Sequence, residues 1–173
     1  DKSKLFFEHL HQHKEIQISY VVKGKGKLFV SDSVHGFAPG DIFVIGGNTP
    51  HLFQSVKNGR PSQMISVFFT KESFGNGFLE IPELKEVQEF LLTSENSFKL
   101  TSEEESVKKL LENLKDSGGL DKFIYFLRLI KTINYAETAP LTNYIHAKKV
   151  NRGGSIGRWK EDTFFALGRH KGD

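Results

Sequence analysis

The stretch from Phe37 to His51, which reads FAPGDIFVIGGNTPH, decides the fold of this chain. Its Pro-Gly-Asp at 39–41 is a strong turn signal, because proline presets one turn dihedral and glycine tolerates a positive one. The apolar run Ile42–Ile45 that follows is typical of a buried strand. A loop, GGNTP, then leads into His51, where the next strand is predicted. This alternation of turns and short strands indicates a β-rich fold.

Strand patterns continue on both sides of this stretch. Apolar and more polar residues alternate over 16–22, which predicts a half-buried strand, and residues 27–30 form a second one after a glycine-rich turn. Downstream, residues 52–56 and 64–69 supply two more. Short strands spaced about ten residues apart indicate a sandwich or barrel. We therefore predict a β-barrel over residues 1–78.

After residue 78 the apolar residues recur at the spacing of a helix. Residues 83–92 have this spacing, and Ser102 with Glu105 matches a capping box that opens a second helix. Residues 120–135 predict a third helix, which is apolar on more than one side and should have two packing partners. We expect the segment 79–138 to pack on the barrel and to offer its remaining apolar face to a second subunit.

The composition indicates a globular protein without thiol chemistry. The 173 residues include no cysteine, which excludes disulfides and thiolate catalysis. The net charge is +3, and the basic excess lies mainly in the glycine-rich tail at 139–173, which we expect to be atypical and disordered. No apolar run of about 18 residues and no signal-peptide pattern is present, so we expect a cytoplasmic protein without a membrane partner.

Three histidines and a glutamine form the candidate site. His11 and His13 are two residues apart, so they face the same way on a strand, and Gln17 has the same parity. His51 arrives from a neighbouring strand. Such a set can bind a divalent metal ion. It can also be the hydrogen-bonded polar lining of a barrel mouth, which is suited to contact a small organic molecule.

The spacing of these residues resembles the cupin family. The first cupin motif is His-x-His, a short gap, Glu, six residues and Gly, and this chain keeps that spacing with His11, His13, Gln17 and Gly24. The second cupin motif is kept in spacing up to His51. Gln17 stands where metal-binding cupins place a carboxylate, and a neutral amide is a poorer ligand for Fe, Mn or Ni. No metal is therefore expected; if one is bound, its ligands would be His11, His13, Gln17 and His51.

Within the cupins, the chain resembles the ligand-sensing domain of AraC-type transcription regulators. The run HQHKEIQISYVVKGKG at 11–26 looks like the opening of that domain, and the run at 37–51 matches the phrase that follows in it. The segments FFTKESFG at 68–75 and PELK at 82–85 also resemble these regulators. The resemblance covers roughly residues 5–140 and rests on the order and spacing of these motifs together.

The resemblance implies a cupin-like double-stranded β-barrel, or jelly roll, followed by about three helices. It also implies a non-catalytic sensor whose barrel binds a small effector, such as a sugar or an aromatic acid, without a cofactor. The residues that we expect to contact the effector are His11, His13, Glu15, Gln17, Tyr20, His51 and Phe53.

The resemblance further implies a homodimer, with Phe123, Leu127 and Ile130 as candidate contacts of the last helix. Regulators of this type carry a helix-turn-helix DNA-binding domain beyond the sensing domain. No such pattern follows residue 140, so we expect DNA to be bound only through a separate domain that this chain lacks.

A metal-dependent cupin enzyme, such as a dioxygenase or an isomerase, is the alternative. His11, His13 and His51 would be its ligands, with Glu15 or Gln17 completing the coordination shell. The amide at position 17 and the long helical segment count against this alternative.

Overall fold

The strands around Phe37–His51 form two sheets in the computed structural model of the chain. The structure describes residues 10–56, 62–102 and 105–142, together with the backbone of residues 164–166. The strands are β1 Ile16–Lys23, β2 Gly26–Val30, β3 Ser33–Phe37, β4 Ile42–Ile45, β5 His51–Ser55, β6 Gln63–Phe69, β7 Phe98–Leu100, β8 Thr138–Pro140 and β9 Phe164–Ala166. The α-helices are α1 Lys85–Ser94, α2 Glu105–Asp116 and α3 Gly119–Asn134. Three short 3-10 turns connect β6 to α1.

The larger sheet has six strands in the order β8-β7-β4-β1-β6-β9, and the smaller has three in the order β3-β2-β5. Among the described strands, all pairings are antiparallel except that of β6 with β9. A core of apolar side chains from both sheets lies between them, and it consists of Val21, Leu28, Val30, Phe37, Phe43, Ile45, Phe53 and Met64, with Leu141 from the chain after β8. The two sheets therefore form a sandwich.

The three helices cover the outer face of the larger sheet. Ile18 and Tyr20 on β1 and Val67 on β6 contact a second core that includes Phe90 of α1 and Phe126 of α3. The ring of Phe126 lies 4.8 Å from that of Phe69 and 5.4 Å from that of Phe74. The fold thus has three layers, in the order small sheet, large sheet, helices.

Strand β1 is buried on both faces, whereas the alternation of its sequence predicts a half-buried strand. Its polar residues Gln17 and Ser19 are fully buried, because they face the interior of the sandwich and not solvent. The apolar residues on the other face are covered by the helices. The polar residues of β1 therefore mark an internal polar site.

The predicted fold class, mainly β with three helices, is confirmed by these elements. The predicted strands and helices agree with the observed bounds to within a few residues. Three short strands, β7, β8 and β9, lie within ranges that the sequence assigns to the helical segment and the tail. β7 is the short run FKL between α1 and α2, and it belongs to the larger sheet because it pairs with β4. The remainder of the expected disordered tail lies outside the described residues.

The apolar residues that α3 exposes are not the ones predicted to contact a second subunit. Ile130 is fully buried in the core, so its side chain is not accessible to a second copy of the chain. Phe123 and Leu127 are half-buried against the same core. The exposed apolar residues of α3 include Leu120 and Ile124, which are not among the predicted contacts. Among the described helices, none combines the length and apolar character that crossing a membrane requires.

Candidate functional site

The three histidines of the candidate site come together at one end of the sandwich. His11 lies in the chain before β1 and pairs with His51, the first residue of β5, through two backbone hydrogen bonds of 3.1 and 2.9 Å. The ring centroids of His11 and His51 are 4.5 Å apart, and that of His13 lies 5.0 Å from His51 and 5.8 Å from His11. His51 is fully buried, while His11 and His13 are half-buried.

The loop Gly46–Pro50 holds the histidines in this arrangement. A Cβ at Gly47 would lie 2.4 Å from the backbone oxygen of Lys14, so only glycine allows this loop to approach the segment that carries His13. The backbone N–H of Asn48 donates to the carbonyl oxygen of His13 at 2.6 Å. The loop also supplies Thr49, whose carbonyl oxygen accepts a hydrogen bond of 2.8 Å from His51 Nδ1.

Gln17 joins two of the histidines from inside the sandwich. Its Oε1 lies 3.2 Å from Nε2 of His13 and 3.0 Å from Nε2 of His51, and its Nε2 lies 2.7 Å from Oγ of Ser19. Nδ1 of each ring faces a backbone carbonyl, Glu15 O at 2.9 Å for His13 and Thr49 O at 2.8 Å for His51. A carbonyl oxygen only accepts, so each Nδ1 must carry the proton.

The hydrogen-bond network assigns the orientation of the Gln17 carboxamide. A neutral imidazole has one N–H, so protonation at Nδ1 leaves both Nε2 atoms as acceptors. Oxygen and nitrogen of an amide are exchanged by a half-turn, and the assignment rests on the partners. Exchanging Oε1 and Nε2 by this half-turn brings the NH₂ group toward the rings, so that Gln17 donates to both Nε2 atoms and accepts from Ser19. Every polar group of this buried network is then satisfied, which a buried site requires.

The network continues inward through two serines that are not among the predicted site residues. Oγ of Ser19 lies 2.7 Å from Oγ of Ser66 on β6, and both residues are fully buried. Phe68, also on β6, lies beside the site, with its ring 5.3 Å from that of His13. In the sequence, Ser66 could have been found as a lone hydroxyl within the apolar run of β6. Ser66 and Phe68 face the sandwich interior because they pair with Ser19 and Gln17, which face it from β1.

The other predicted effector contacts are divided between different environments. The carboxylate of Glu15 lies 3.5 Å from Nδ1 of His13, whereas Gln17 contacts Nε2 of the same ring. Phe53 faces the interior of the sandwich, where its ring packs 5.7 Å from Phe37 and 5.8 Å from Phe43. Tyr20 belongs to the core under the helices, on the opposite face of β1 from Gln17. The structure therefore does not bring Tyr20 to the histidines.

Burial keeps His51 neutral. Desolvation is the main cause that lowers the pKa of His51 from 6.5 to about 4, and charges on His11 and His13 lower it further. The hydrogen bond to Thr49 opposes this shift but is the smaller effect. The neutral ring agrees with the acceptor role assigned to its Nε2.

The donor set also fits a metal ion. Among the described residues, His11, His13 and His51 each offer a ring nitrogen within 4.8 Å of the others. Hydrogen bonds from Nδ1 to backbone carbonyls are the arrangement that orients histidine ligands and leaves Nε2 free. With the carboxamide in the other orientation, its oxygen facing the rings, Gln17 would be the fourth donor, in place of the anionic ligand that Fe and Mn favour. The set suits Zn, Ni or Cu better than these ions.

The lowered pKa of His51 predicts a stability that falls in mild acid. The unfolded chain binds a proton at this residue near pH 6.5 and the folded chain only near pH 4, so stability is full above pH 6.5 and is lost as pH falls toward 4. Between pH 7 and pH 5 this residue should cost about 2 kcal/mol. Urea denaturation at both pH values measures the loss, and His51→Gln should remove that part of it. An equal loss in both proteins would contradict the assignment.

Comparison with known protein families gives one identification. The family described as the AraC-like ligand binding domain matches residues 3–127. This span includes His11, His13, Gln17 and His51, the strands β1 to β7 and the first part of α3. Comparison with curated proteins gives no match. The family match confirms the resemblance found in residues 11–26 and 37–51 and the cupin-like class of the fold. The chain belongs to the family of AraC-like ligand-binding domains.

Proposed function

We propose that the domain binds a small organic effector at His11, His13, Gln17 and His51, and that a cytoplasmic transcription regulator uses this binding as its signal. The family membership supports an effector-sensing role. The observation that carries the proposal is the position of Gln17, a fully buried amide in contact with two imidazoles from separate segments of the chain. A ligand that takes over one of these hydrogen bonds would change the contact between the two segments.

The effector would lie against the outer side of the cluster. Ring centroids 4.5–5.8 Å apart place the imidazoles in contact, so an organic molecule does not fit between them. His11, His13 and Phe68 are half-buried, so part of each side chain is open to solvent and accessible to a ligand. In the described part of the chain, the hydroxyl of Thr49 is buried without a hydrogen-bond partner and is a further group that a ligand could use.

The chemistry of these groups suits a sugar or an aromatic acid. Imidazoles, an amide and hydroxyls can each donate or accept, which matches the hydroxyl groups of a sugar. An aromatic ring could stack on Phe68 or His13, and its carboxylate could accept from a protonated imidazole. No catalytic residue is part of this proposal, and none of its steps uses a cofactor.

A metal-dependent enzyme is the second candidate. The observation that favours it is the convergence of three ring nitrogens with the Gln17 carboxamide. A bound ion would supply a Lewis acid, and His11, His13, Gln17 and His51 would hold it. Sensor and enzyme therefore share the same residues and differ in which ligand they bind.

A thermal-shift screen separates the two candidates. The chain is dialysed against EDTA and then exposed to a panel of monosaccharides, a panel of hydroxybenzoates, and Zn²⁺ or Ni²⁺. An effector at about 100 times its Kd stabilises by about 2.7 kcal/mol, which should raise Tm by about 5–10 °C. We expect an organic compound to give this shift in the wild type and not in Gln17→Leu.

Gln54→Leu is the matched control, because it makes the same chemical change on the exposed side of β5. An organic ligand that stabilises Gln17→Leu as much as the wild type would place the effector site elsewhere. A shift given only by the metal ions, and lost in His51→Ala, would favour the enzyme.

We also propose that α3 pairs two copies of the domain. Leu120 is 72% exposed and Ile124 39% exposed, and the half-buried Leu127 lies about one turn further along the helix. Together they form an apolar face that a single copy leaves open to water. DNA contact would depend on a separate domain, since the described helices pack on the larger sheet.

Charged residues on this face should dissociate the dimer. We expect sedimentation equilibrium to give the mass of a dimer for the wild type and of a monomer for Leu120→Glu/Ile124→Glu, with a dimer Kd raised at least about tenfold because buried carboxylates lack partners. Leu92→Glu is the control, since Leu92 is also an exposed apolar residue, with an exposure between those of Leu120 and Ile124, but lies on α1. Unchanged mass in the double variant, or a monomeric wild type, would contradict pairing through α3.

A further inference from the structure

The chain returns to the sandwich after the last helix and is held there by Thr138–Thr142, which we call the exit strap. Its first part is β8, which pairs with β7 at the edge of the larger sheet. Its second part, Leu141, is 2% exposed and belongs to the core between the sheets. The segment that follows α3 thus contributes a side chain to the core between the two sheets.

Leu141 is also fixed by both of its backbone polar groups. Its N–H donates to the carbonyl oxygen of Ser97 at 3.0 Å. Its carbonyl oxygen accepts a hydrogen bond of 2.8 Å from Nε2 of His35 on β3. These two bonds tie the strap to the turn before β7 on one side and to the small sheet on the other.

The turn that holds the strap also holds the histidine loop. Oγ of Ser97 accepts a hydrogen bond of 2.8 Å from the N–H of Gly46, and Ser97 is almost fully buried. A Cβ at Gly46 would lie 2.5 Å from the backbone oxygen of Ser94, so the loop is in close contact with the end of α1. Ser97 therefore uses its side chain for the loop and its backbone for the strap.

At its other end, the same loop contacts two histidines of the site. Asn48 donates to the backbone of His13, and His51 donates to Thr49. A change in the distance between His13 and His51 must therefore move the loop Gly46–Pro50 or break one of these bonds. Since cores are closely packed, such a movement is transmitted to Ser97.

We propose that the exit strap reports the state of the histidine site through the loop Gly46–Pro50 and Ser97. The inference rests on the proposed function, in which the histidine cluster receives the effector. An occupant that takes over a hydrogen bond between Gln17 and one of the rings changes the distance between His13 and His51, displaces the loop, weakens the Gly46–Ser97 hydrogen bond and releases Leu141. This release of Leu141 from the core between the sheets is the signal.

Thiol labelling tests the coupling without an effector, because the chain has no cysteine of its own. In the full chain, Leu141→Cys places a single buried thiol on the strap, and its rate of reaction with a disulfide reagent measures strap opening. Adding Ser97→Ala removes the loop hydrogen bond and should raise this rate about fivefold. Adding His51→Gln, a change within the site, should raise the rate by a similar factor.

Two controls separate strap release from a general loss of stability. Ser94→Ala removes a neighbouring buried hydroxyl that bonds within α1, and it should leave the labelling rate of the strap thiol unchanged. Leu114→Cys, made in a separate protein, reports on the helical core, and its rate should not respond to His51→Gln. Equal acceleration of the strap thiol and the core thiol, or no acceleration of the strap thiol, would overturn the proposal.

A second measurement covers the case in which Leu141→Cys disturbs the strap. Amide hydrogen exchange of Leu141 in the chain with its native leucine should be faster in Ser97→Ala than in Ser94→Ala, and an equal rate would again overturn the proposal. The effector screen uses ligands and this test uses none. A failure of the proposed effector site can therefore be distinguished from a failure of the coupling between the site and the strap.

Discussion

The contact of the Gln17 carboxamide with His13 and His51 is the interaction on which the rest of the site depends. Gln17 is fully buried in a central strand of the larger sheet. A buried amide without partners costs about 1–3 kcal/mol, so the fold must supply groups at both of its ends. The two imidazoles are these groups at one end and Ser19 at the other. The histidine site is thereby held by the core of the protein although His11 and His13 reach the surface.

This constraint explains why the loop before β5 has its composition. His51 can meet Gln17 only if the loop Gly46–Pro50 passes close to Lys14, where the approach at Gly47 leaves no room for a side chain. At Gly46 the same loop packs against the end of α1 and donates a hydrogen bond to Ser97, which precedes β7. Its glycines therefore serve the site and the attachment of the helical segment together. Because the loop serves both, a signal at the site and the position of the chain's exit from the sandwich are physically linked.

Most of the fold could be predicted from the sequence, because apolar period and turn residues specify β1, β2, β4, β5, β6 and the three helices locally, although they do not predict β3. The short strands β7 and β8 could not, since three residues have no period of their own and their pairing depends on distant partners. The four members of the site could be predicted from spacing, with His51 brought in by strand pairing. Tyr20 could have been excluded by the same rule, because it is three residues from Gln17 and faces the helices. Ile130, which we predicted as a dimer contact, could not have been excluded from the sequence. An apolar stripe along a helix does not show which of its residues pack into the protein's own core and which stay exposed.

The position of the proton on each imidazole shows whether Gln17 donates to both rings. Long-range proton–nitrogen NMR correlations distinguish the two neutral forms of a histidine ring. With the full chain at a pH of about 7.5, well above the lowered pKa of His51, we expect His13 and His51 both to carry their proton on Nδ1, with Nε2 unprotonated toward Gln17. A proton on Nε2 of His51 would contradict the account, because its Nδ1 could then not donate to Thr49 and Gln17 could not donate to the ring.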